Sequence, residues 1–332
     1  MKKRIVIITV FVLLSVFFSA CAQAAPAETG SVGKKAAFIV SEPLGDPFTD
    51  MAVKGLQKAL FEVGGDLKVI EAQSSAEYEN QIRSLADLGY DPIVVVWDDL
   101  ANAAVKVAEK YPDTHFLLFD TYVPNGDLPN TKNVTINPGP ACYVAGYVAA
   151  KLSKTGKIAD VLGADIPFVV GGFFAPWEAG AKAANPDVIV KTANAGTWVD
   201  PNIGRELALQ LAEDGFDVIF DTANKTGLGV IQTAVEGDFL VMSTDFWKGD
   251  LSPNLVWSAL KPGDEALYVA TKSVFDGTFE PGVLDYGPAM GAALYDQRDF
   301  DKLPTDIQQE VLAVVEDLKA GKITIPTDTA TR

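Results

Sequence analysis

Carboxylate and aromatic side chains recur at the points where the apolar stretches of this sequence end. Asp120 follows the run HFLLF, Asp245 follows the run FLVMST, and Trp97 closes the run IVVVW. Carboxylates accept strong hydrogen bonds from hydroxyl or ring N–H groups. Aromatic faces stack on flat rings, an interaction of about 1–3 kcal/mol per base. This combination predicts a binding site for a flat, hydroxylated small molecule.

The residue patterns of common enzyme classes are missing. The chain has one histidine, and this residue, His115, stands before an apolar run rather than after one. A single histidine excludes a His-rich metal site and weakens any Ser-His-Asp triad. No G-x-S-x-G sequence occurs, and residues 226–229 lack the Gly-Lys-Ser/Thr ending of a phosphate-binding loop. A nucleoside hydrolase would need an aspartate cluster for calcium, which is also missing. We therefore expect no enzyme activity, no cofactor and no metal site.

Apolar strands alternate with amphipathic helices along the chain. The predicted strands are 36–41, 68–70, 93–97, 115–119, 158–162, 188–192, 217–220, 239–243, 255–260 and 283–286. The predicted helices are 47–63, 77–88, 100–110, 141–153, 201–214, 226–236, 264–276 and 304–320. Uninterrupted apolar strands separated by helices are typical of parallel sheets covered on both faces. In such α/β sheets ligands bind beyond the carboxyl ends of the strands, so we expect the strand-end residues to converge.

The first twenty residues have the three-part layout of a secretory signal peptide. Residues 2–4 are basic, an apolar run follows, and small residues precede Cys21. The run is shorter than the roughly 20 residues that a transmembrane helix needs. Ser19-Ala20-Cys21 resembles a bacterial lipobox and predicts lipidation of Cys21, with residues 21–35 as a flexible tether. Ordinary cleavage after Ala22-Gln23-Ala24 is the alternative.

The remaining chain is longer than a single hydrophobic core usually fills, so we expect two Rossmann-like lobes. We place lobe 1 at 36–137 and 259–283, and lobe 2 at 138–258 and 284–326, with three crossings that form a hinge. The net charge is −17, which repels phosphate backbones and makes nucleic-acid binding unexpected. With Cys21 acylated, Cys142 has no partner for a disulfide.

From residue 36 to about residue 290 the chain resembles the basic membrane protein family, the lipoprotein receptors of nucleoside-type ABC importers. The matching segments, in order, are 45–50 (GDPFTD), 54–56, 85–91 (LADLGYD), 116–120 (FLLFD), 146–150, 155–158, 178–180, 185–188, 200–201, 226–230 and 260–261. The resemblance implies the two-lobed α/β fold of type I periplasmic binding proteins. It also implies an extracytoplasmic, lipid-anchored receptor at the cell membrane that works with ABC permease and ATPase subunits. We expect a monomer.

The resemblance assigns binding roles to five residues. Phe48 matches the family phenylalanine that stacks on the base, and Trp198 lies where the family places the opposite aromatic ring. Asp120 matches the aspartate near the ribose hydroxyls, and Asp245 resembles the one that accepts hydrogen bonds from the purine. Lys261 matches a lysine close to that ligand. These roles predict a purine nucleoside between the lobes.

Other candidate binding residues are less regular. Gly227 lies in the matched glycine turn, where the glycine either packs a helix or lets backbone N–H groups reach the ligand. Thr49 replaces the family asparagine, Trp97 adds aromatic surface, and Asn224 follows a strand. Because of these departures, riboflavin or a free purine base is an alternative ligand. A surface sensor that binds such a ligand without transport is an alternative role.

Overall fold

A computed structural model describes residues 33–41 and 44–327. The predicted signal peptide at 1–20, Cys21 and the tether up to residue 32 lie outside the described residues. Strand β1 already begins at Lys35. No helix of the described ranges is long and apolar enough to span a bilayer.

Two parallel sheets form the framework of residues 33–327. The first sheet contains β1 Lys35–Val40, β2 Asp66–Glu71, β3 Ile93–Val96, β4 Phe116–Phe119, β5 Thr131–Thr135 and β11 Gly282–Asp285. The second contains β6 Lys157–Leu162, β7 Ile189–Asn194, β8 Val218–Thr222, β9 Leu240–Asp245 and β10 Leu255–Leu260. Every pair of neighbouring strands is parallel. The predicted α/β class with two parallel-sheet lobes is confirmed.

The two sheets share one strand order. The first runs β2-β1-β3-β4-β5-β11 and the second runs β7-β6-β8-β9-β10. In this doubly wound order the connections leave the sheet in opposite directions from β1 and β3, and likewise from β6 and β8. Open α/β sheets bind ligands beyond the carboxyl ends of the strands at such a switch point. The topology therefore predicts a ligand site at the switch-point loops, which are the loops after β1, β3, β6 and β8.

Helices cover both faces of each sheet. In the first lobe they are α1 Pro47–Val63, α2 Tyr78–Asp87, α3 Trp97–Ala108 and α9 Gly263–Phe275. In the second they are α4 Gly139–Leu152, α5 Pro167–Val169, α6 Ala175–Ala184, α7 Pro201–Glu213, α8 Gly227–Thr233, α10 Gln297–Phe300 and α11 Thr305–Lys319. A π-helical turn, Val170–Phe174, joins α5 to α6. The chain passes between the lobes after β5, β10 and β11.

Local sequence signals set the ends of α1, the helix that follows the loop after β1. Asp46 is the N-cap, and its carboxylate accepts a hydrogen bond from the backbone N–H of Thr49 at 2.9 Å. Pro47 at the first helical position has the backbone angle that a helix start requires. Gly64 ends the helix in the left-handed conformation, with φ of 65°.

Helices α4 and α6 approach each other closely through a reciprocal pair of glycines. A Cβ atom at Gly146 would lie 1.8 Å from the carbonyl oxygen of Trp177, and one at Gly180 would lie 1.9 Å from that of Tyr143. Neither backbone can yield without moving a helix. The Trp177 ring, fully buried, stacks on Phe220 of β8 at 5.5 Å between ring centroids. This contact fixes the helix layer against the second sheet.

Alanine at either glycine is expected to force α4 and α6 apart. Gly146→Ala and Gly180→Ala should each lower the free energy of unfolding by about 3 kcal/mol, as overpacking of a tight core does. Urea unfolding followed by circular dichroism measures this. Gly287→Ala, where a Cβ would meet nothing within 4 Å, is the control and should change stability little. Equal stability of all three variants would show that the close approach of α4 and α6 does not require glycine at these two positions.

Candidate functional site

A cavity of about 460 Å³ lies between the carboxyl ends of the two sheets. This volume falls in the range of small-molecule sites. The first lobe lines it with Asp46, Phe48, Trp97 and Asp120. The second lobe contributes Ile166, Phe168, Val169, Phe173, Trp198, Val199, Thr222, Asn224, Lys225, Thr244 and Asp245. Lys261 completes the lining at the second crossing between the lobes.

Four of the lining residues have a left-handed backbone conformation that side chains other than glycine rarely adopt. Their φ angles are 62° at Trp97, 51° at Asp120, 51° at Asn224 and 74° at Asp245. The described chain has only two other such non-glycine residues. Strained residues of this kind cluster at ligand-binding and catalytic sites, since the surrounding fold must hold them there. All four residues follow or end a strand and line the cavity.

Aromatic rings form much of the cavity wall. The Phe48 ring lies parallel to Phe119 at 5.4 Å and nearly parallel to Trp97 at 6.4 Å between centroids. From the second lobe, Phe168 and Phe173 meet edge to face at 5.7 Å. The two rings are five positions apart and lie together because the intervening segment is a π-helical turn. The cavity therefore offers aromatic surface from both lobes.

Trp198 is held against the backbone that follows β6. A Cβ atom at Gly163 would lie 2.2 Å from the Trp198 ring. Only a residue without a side chain leaves room for the indole at this point. Part of the Trp198 ring is thus packed on the second lobe, and another part lines the cavity.

Lys261 carries a buried positive charge at the centre of the site. Its ammonium lies 2.6 Å from a carboxylate oxygen of Asp120, and both side chains are less than a tenth exposed. The same ammonium lies 4.9 Å from the ring centroid of Phe48, 5.2 Å from that of Phe168 and 5.6 Å from that of Phe173. Aromatic faces attract a cation at such distances. Asp120 and Lys261 therefore form an ion pair enclosed by rings from both lobes.

Asp46 and Asn224 connect the two lobes by a hydrogen bond across the cleft. One carboxylate oxygen of Asp46 accepts from the N–H and the hydroxyl of Thr49, at 2.9 and 3.0 Å. The other accepts from the side-chain amide of Asn224. Asp46 thus caps a helix of the first lobe and holds a loop of the second lobe at the same time.

Two predicted site residues do not line the cavity. Thr49 is buried, and its hydroxyl is turned toward Asp46. A Cβ atom at Gly227 would lie 1.6 Å from a carboxylate oxygen of Asp221, so this glycine makes room for the buried carboxylate behind the loop. Burial raises the pKa of Asp221 to about 6, while Lys248 at 4.0 Å and the Ala223 N–H favour its charged form. The other predicted ligand-binding residues, Phe48, Trp97, Asp120, Trp198, Asn224, Asp245 and Lys261, do line it.

Comparisons with known proteins agree with this architecture. Residues 33–329 match the model of a family described as PnrA-like ABC transporter substrate-binding proteins. The chain belongs to this family. Basic membrane protein A of Borreliella burgdorferi is 28% identical over 97% of this chain and 96% of its own length. The ABC transporter nucleoside-binding protein BmpA of Lactococcus lactis is 25% identical over 98% and 99% of the two chains.

A solved structure supports the same assignment. An ABC transporter solute-binding protein from Aeropyrum pernix superposes with a TM-score of 0.76 at 25% identity, covering 89% of this chain and 94% of that one. The type I periplasmic-binding-protein fold that the sequence predicted is thereby confirmed.

Family membership defines the general role of the chain. It is an extracytoplasmic substrate-binding protein of an ABC transporter, a class that binds small molecules and works with permease and ATPase subunits. Its homologues are binding proteins and not enzymes. Residues 33–41 and 44–327 contain no group of three or more His, Cys, Asp or Glu side chains that could hold a metal ion.

The loop after β6 contributes Phe168 and Phe173 to the cavity, although the sequence patterns predicted no element between 163 and 187. The aromatic residues Phe168, Phe173 and Phe174, which follow a buried strand, are the signal that could have identified it. Asp46, which is a helix cap and a cleft residue at once, was likewise not among the predicted site residues. The strand order shows why both matter, because β1 and β6 occupy equivalent positions in their sheets.

The Asp46–Asn224 hydrogen bond is expected to stabilise the closed arrangement of the lobes. Asn224→Ala removes a bond to a charged partner, which corresponds to about a tenfold loss of ligand affinity. Calorimetric titration measures the affinity, and small-angle scattering measures the opening of the free protein. Asn202→Ala, on the exposed start of α7, is the control. Unchanged affinity and scattering for Asn224→Ala would show that the contact does not hold the lobes.

Proposed function

We propose that this chain is a lipid-anchored, monomeric receptor of an ABC importer that captures a purine nucleoside between its lobes. The main support for this proposal is the composition of the cavity. Aromatic rings from both lobes line it, together with the carboxylates of Asp46, Asp120 and Asp245. A purine presents two flat faces and a ribose presents hydroxyl donors, so each part of a nucleoside has a matching surface. One relative is itself named a nucleoside-binding protein, which supports the ligand class.

The charge of the site favours an uncharged ligand over a phosphorylated one. Three aspartates and two lysines, Lys225 and Lys261, line the cavity. Lys261 is already paired with Asp120, so a phosphate would meet two further carboxylates with one lysine left to balance it. Riboflavin and a free purine base remain candidate ligands, since Trp97 extends the aromatic surface beyond Phe48 and Trp198.

Titration of the mature protein with adenosine, guanosine, inosine, adenine and riboflavin tests the ligand class. At least one compound should bind with a dissociation constant below about 100 μM, which corresponds to about −5.5 kcal/mol. Trp198→Ala should weaken that binding by on the order of 1–3 kcal/mol because the indole stacks on the ring. Phe61→Ala is the matched aromatic control, since Phe61 is 90% exposed on α1 and does not line the cavity. Failure of all five compounds would reject the nucleoside class.

Lipidation at Cys21 is tested in cells labelled with a palmitate analogue. The wild-type protein should incorporate the label and sediment with membranes, whereas Cys21→Ala should incorporate none. Cys142→Ala is the control, because Cys142 is buried in α4 and leaves Cys21 intact. An unlabelled wild-type protein whose N-terminus is Ala25 would instead establish cleavage after Ala22-Gln23-Ala24.

A further inference from the structure

Asp160 is a fully buried carboxyl group directly behind the cavity lining. It lies on β6, and one of its oxygens is 3.0 Å from the hydroxyl of Thr222, which lines the cavity. Its other oxygen has no hydrogen-bond partner within the described ranges. One lining residue, Thr222, therefore lies between this carboxyl and the ligand space, and none of the roles assigned above uses Asp160.

The Thr222 hydroxyl is the one hydrogen-bond partner in the described part of the chain that would compensate a negative charge on Asp160. Among residues 33–41 and 44–327, no lysine, arginine or histidine forms an ion pair with it. Asp221 of β8 and the buried thiol of Cys142 on α4 interact electrostatically with it, and Thr192 of β7 is its register partner. Burial raises the pKa of Asp160 well above its usual value, the hydrogen bond with Thr222 opposes part of this rise, and the nearby Asp221 carboxylate adds to it. Asp221, in contrast, has a positive charge nearby, because the Lys248 ammonium lies 4.0 Å from its carboxylate.

The protonation state of Asp160 decides what Thr222 offers the ligand. An ionised carboxylate only accepts, so it would take the hydroxyl proton of Thr222. A neutral acid can instead donate to the hydroxyl oxygen, and the hydroxyl proton is then available to another acceptor. Within the protein the alternative acceptor is the carbonyl of Val161, at a long 3.4 Å.

We propose that Asp160 is a neutral acid that donates to Thr222, so that the Thr222 hydroxyl donates to an acceptor atom of the bound ligand. The inference rests on the proposed function and sharpens it. Asp46, Asp120 and Asp245 select donor groups of the ligand, whereas Thr222 selects a carbonyl, ring nitrogen or hydroxyl oxygen. Asp160 acts as a positioning residue and Thr222 as a specificity residue.

Infrared spectroscopy of the ligand-free protein at pH 8 tests the state of Asp160 directly. The wild-type protein should show the carbonyl stretch of a protonated carboxylic acid, shifted in D₂O, and Asp160→Asn should lose this band. Asp221→Asn is the matched control, a buried carboxyl on the adjacent strand, and should retain the band. A wild-type spectrum without the band, or one that Asp160→Asn leaves unchanged, would overturn the proposal.

Binding of inosine and adenosine tests the second step. Thr222→Val should weaken binding about tenfold, and Thr222→Ser should restore it to within about threefold of wild type. Asp160→Leu should weaken binding as far as Thr222→Val, whereas Asp160→Asn, a neutral donor, should preserve it. Thermal unfolding confirms that each variant is folded.

The infrared and binding experiments together distinguish a failure of this inference from a failure of the proposed function. Thr222→Val that binds like the wild type would show that the hydroxyl does not contact the ligand and would overturn the inference. If the wild-type protein bound none of the five compounds, the proposed function would fail, and the infrared comparison would still decide whether Asp160 is neutral.

Discussion

The ion pair between Lys261 and Asp120 is the contact on which the geometry of the cleft depends. Lys261 follows the last strand of the second sheet at a crossing between the lobes, and its backbone N–H donates to the carbonyl of Asp245 at 2.8 Å. Its ammonium reaches Asp120 at the end of β4 in the first sheet. A buried charge without its partner is strongly destabilising. Hinge and binding site therefore share one residue, so we expect closure of the lobes and assembly of the site to be coupled.

Most polar groups of the cavity already have partners in the protein. Asp120 is bound by Lys261, Asp46 by Thr49 and Asn224, and the Thr244 hydroxyl lies 3.2 Å from a carboxylate oxygen of Asp245. A ligand must exchange these hydrogen bonds for its own, and an exchange contributes little net free energy. Affinity then comes chiefly from stacking on the aromatic walls and from desolvation, while the carboxylates determine which ligand fits.

Strong local signals made much of the fold predictable. The prediction for α1 was correct at both ends because Asp46-Pro47 starts a helix and Gly64 ends it. Strand β5 escaped notice because its sequence, TKNVT, is polar. Its Asn133 is nevertheless buried, and the amide donates to the carbonyls of Thr121 and Val123. Tertiary hydrogen bonds of this kind leave no trace in hydrophobic periodicity.

Site residues were predictable where they follow the end of a strand. They were less predictable where hydrogen bonds to neighbouring residues decide the orientation of the side chain. Thr49 was predicted to bind the ligand, yet its hydroxyl donates to Asp46. Gly227 was open to two interpretations, and the carboxylate of Asp221 accounts for it. Residue type and spacing cannot show with which of two nearby polar groups a short side chain will form its hydrogen bond.

The π-helical turn at Val170–Phe174 has an evolutionary consequence. In an α-helix, residues three and four apart share a face, whereas this wider turn brings Phe168 and Phe173 together at five. Such turns contain one residue more than the regular helix and are frequent at functional sites. Loss of one codon between Phe168 and Phe173 would leave the two rings four positions apart, a spacing that shares one face of a regular helix. We therefore expect that descendants of this receptor can lose one residue here and keep the aromatic pair, so the identity of the two phenylalanines constrains this segment more than its length does.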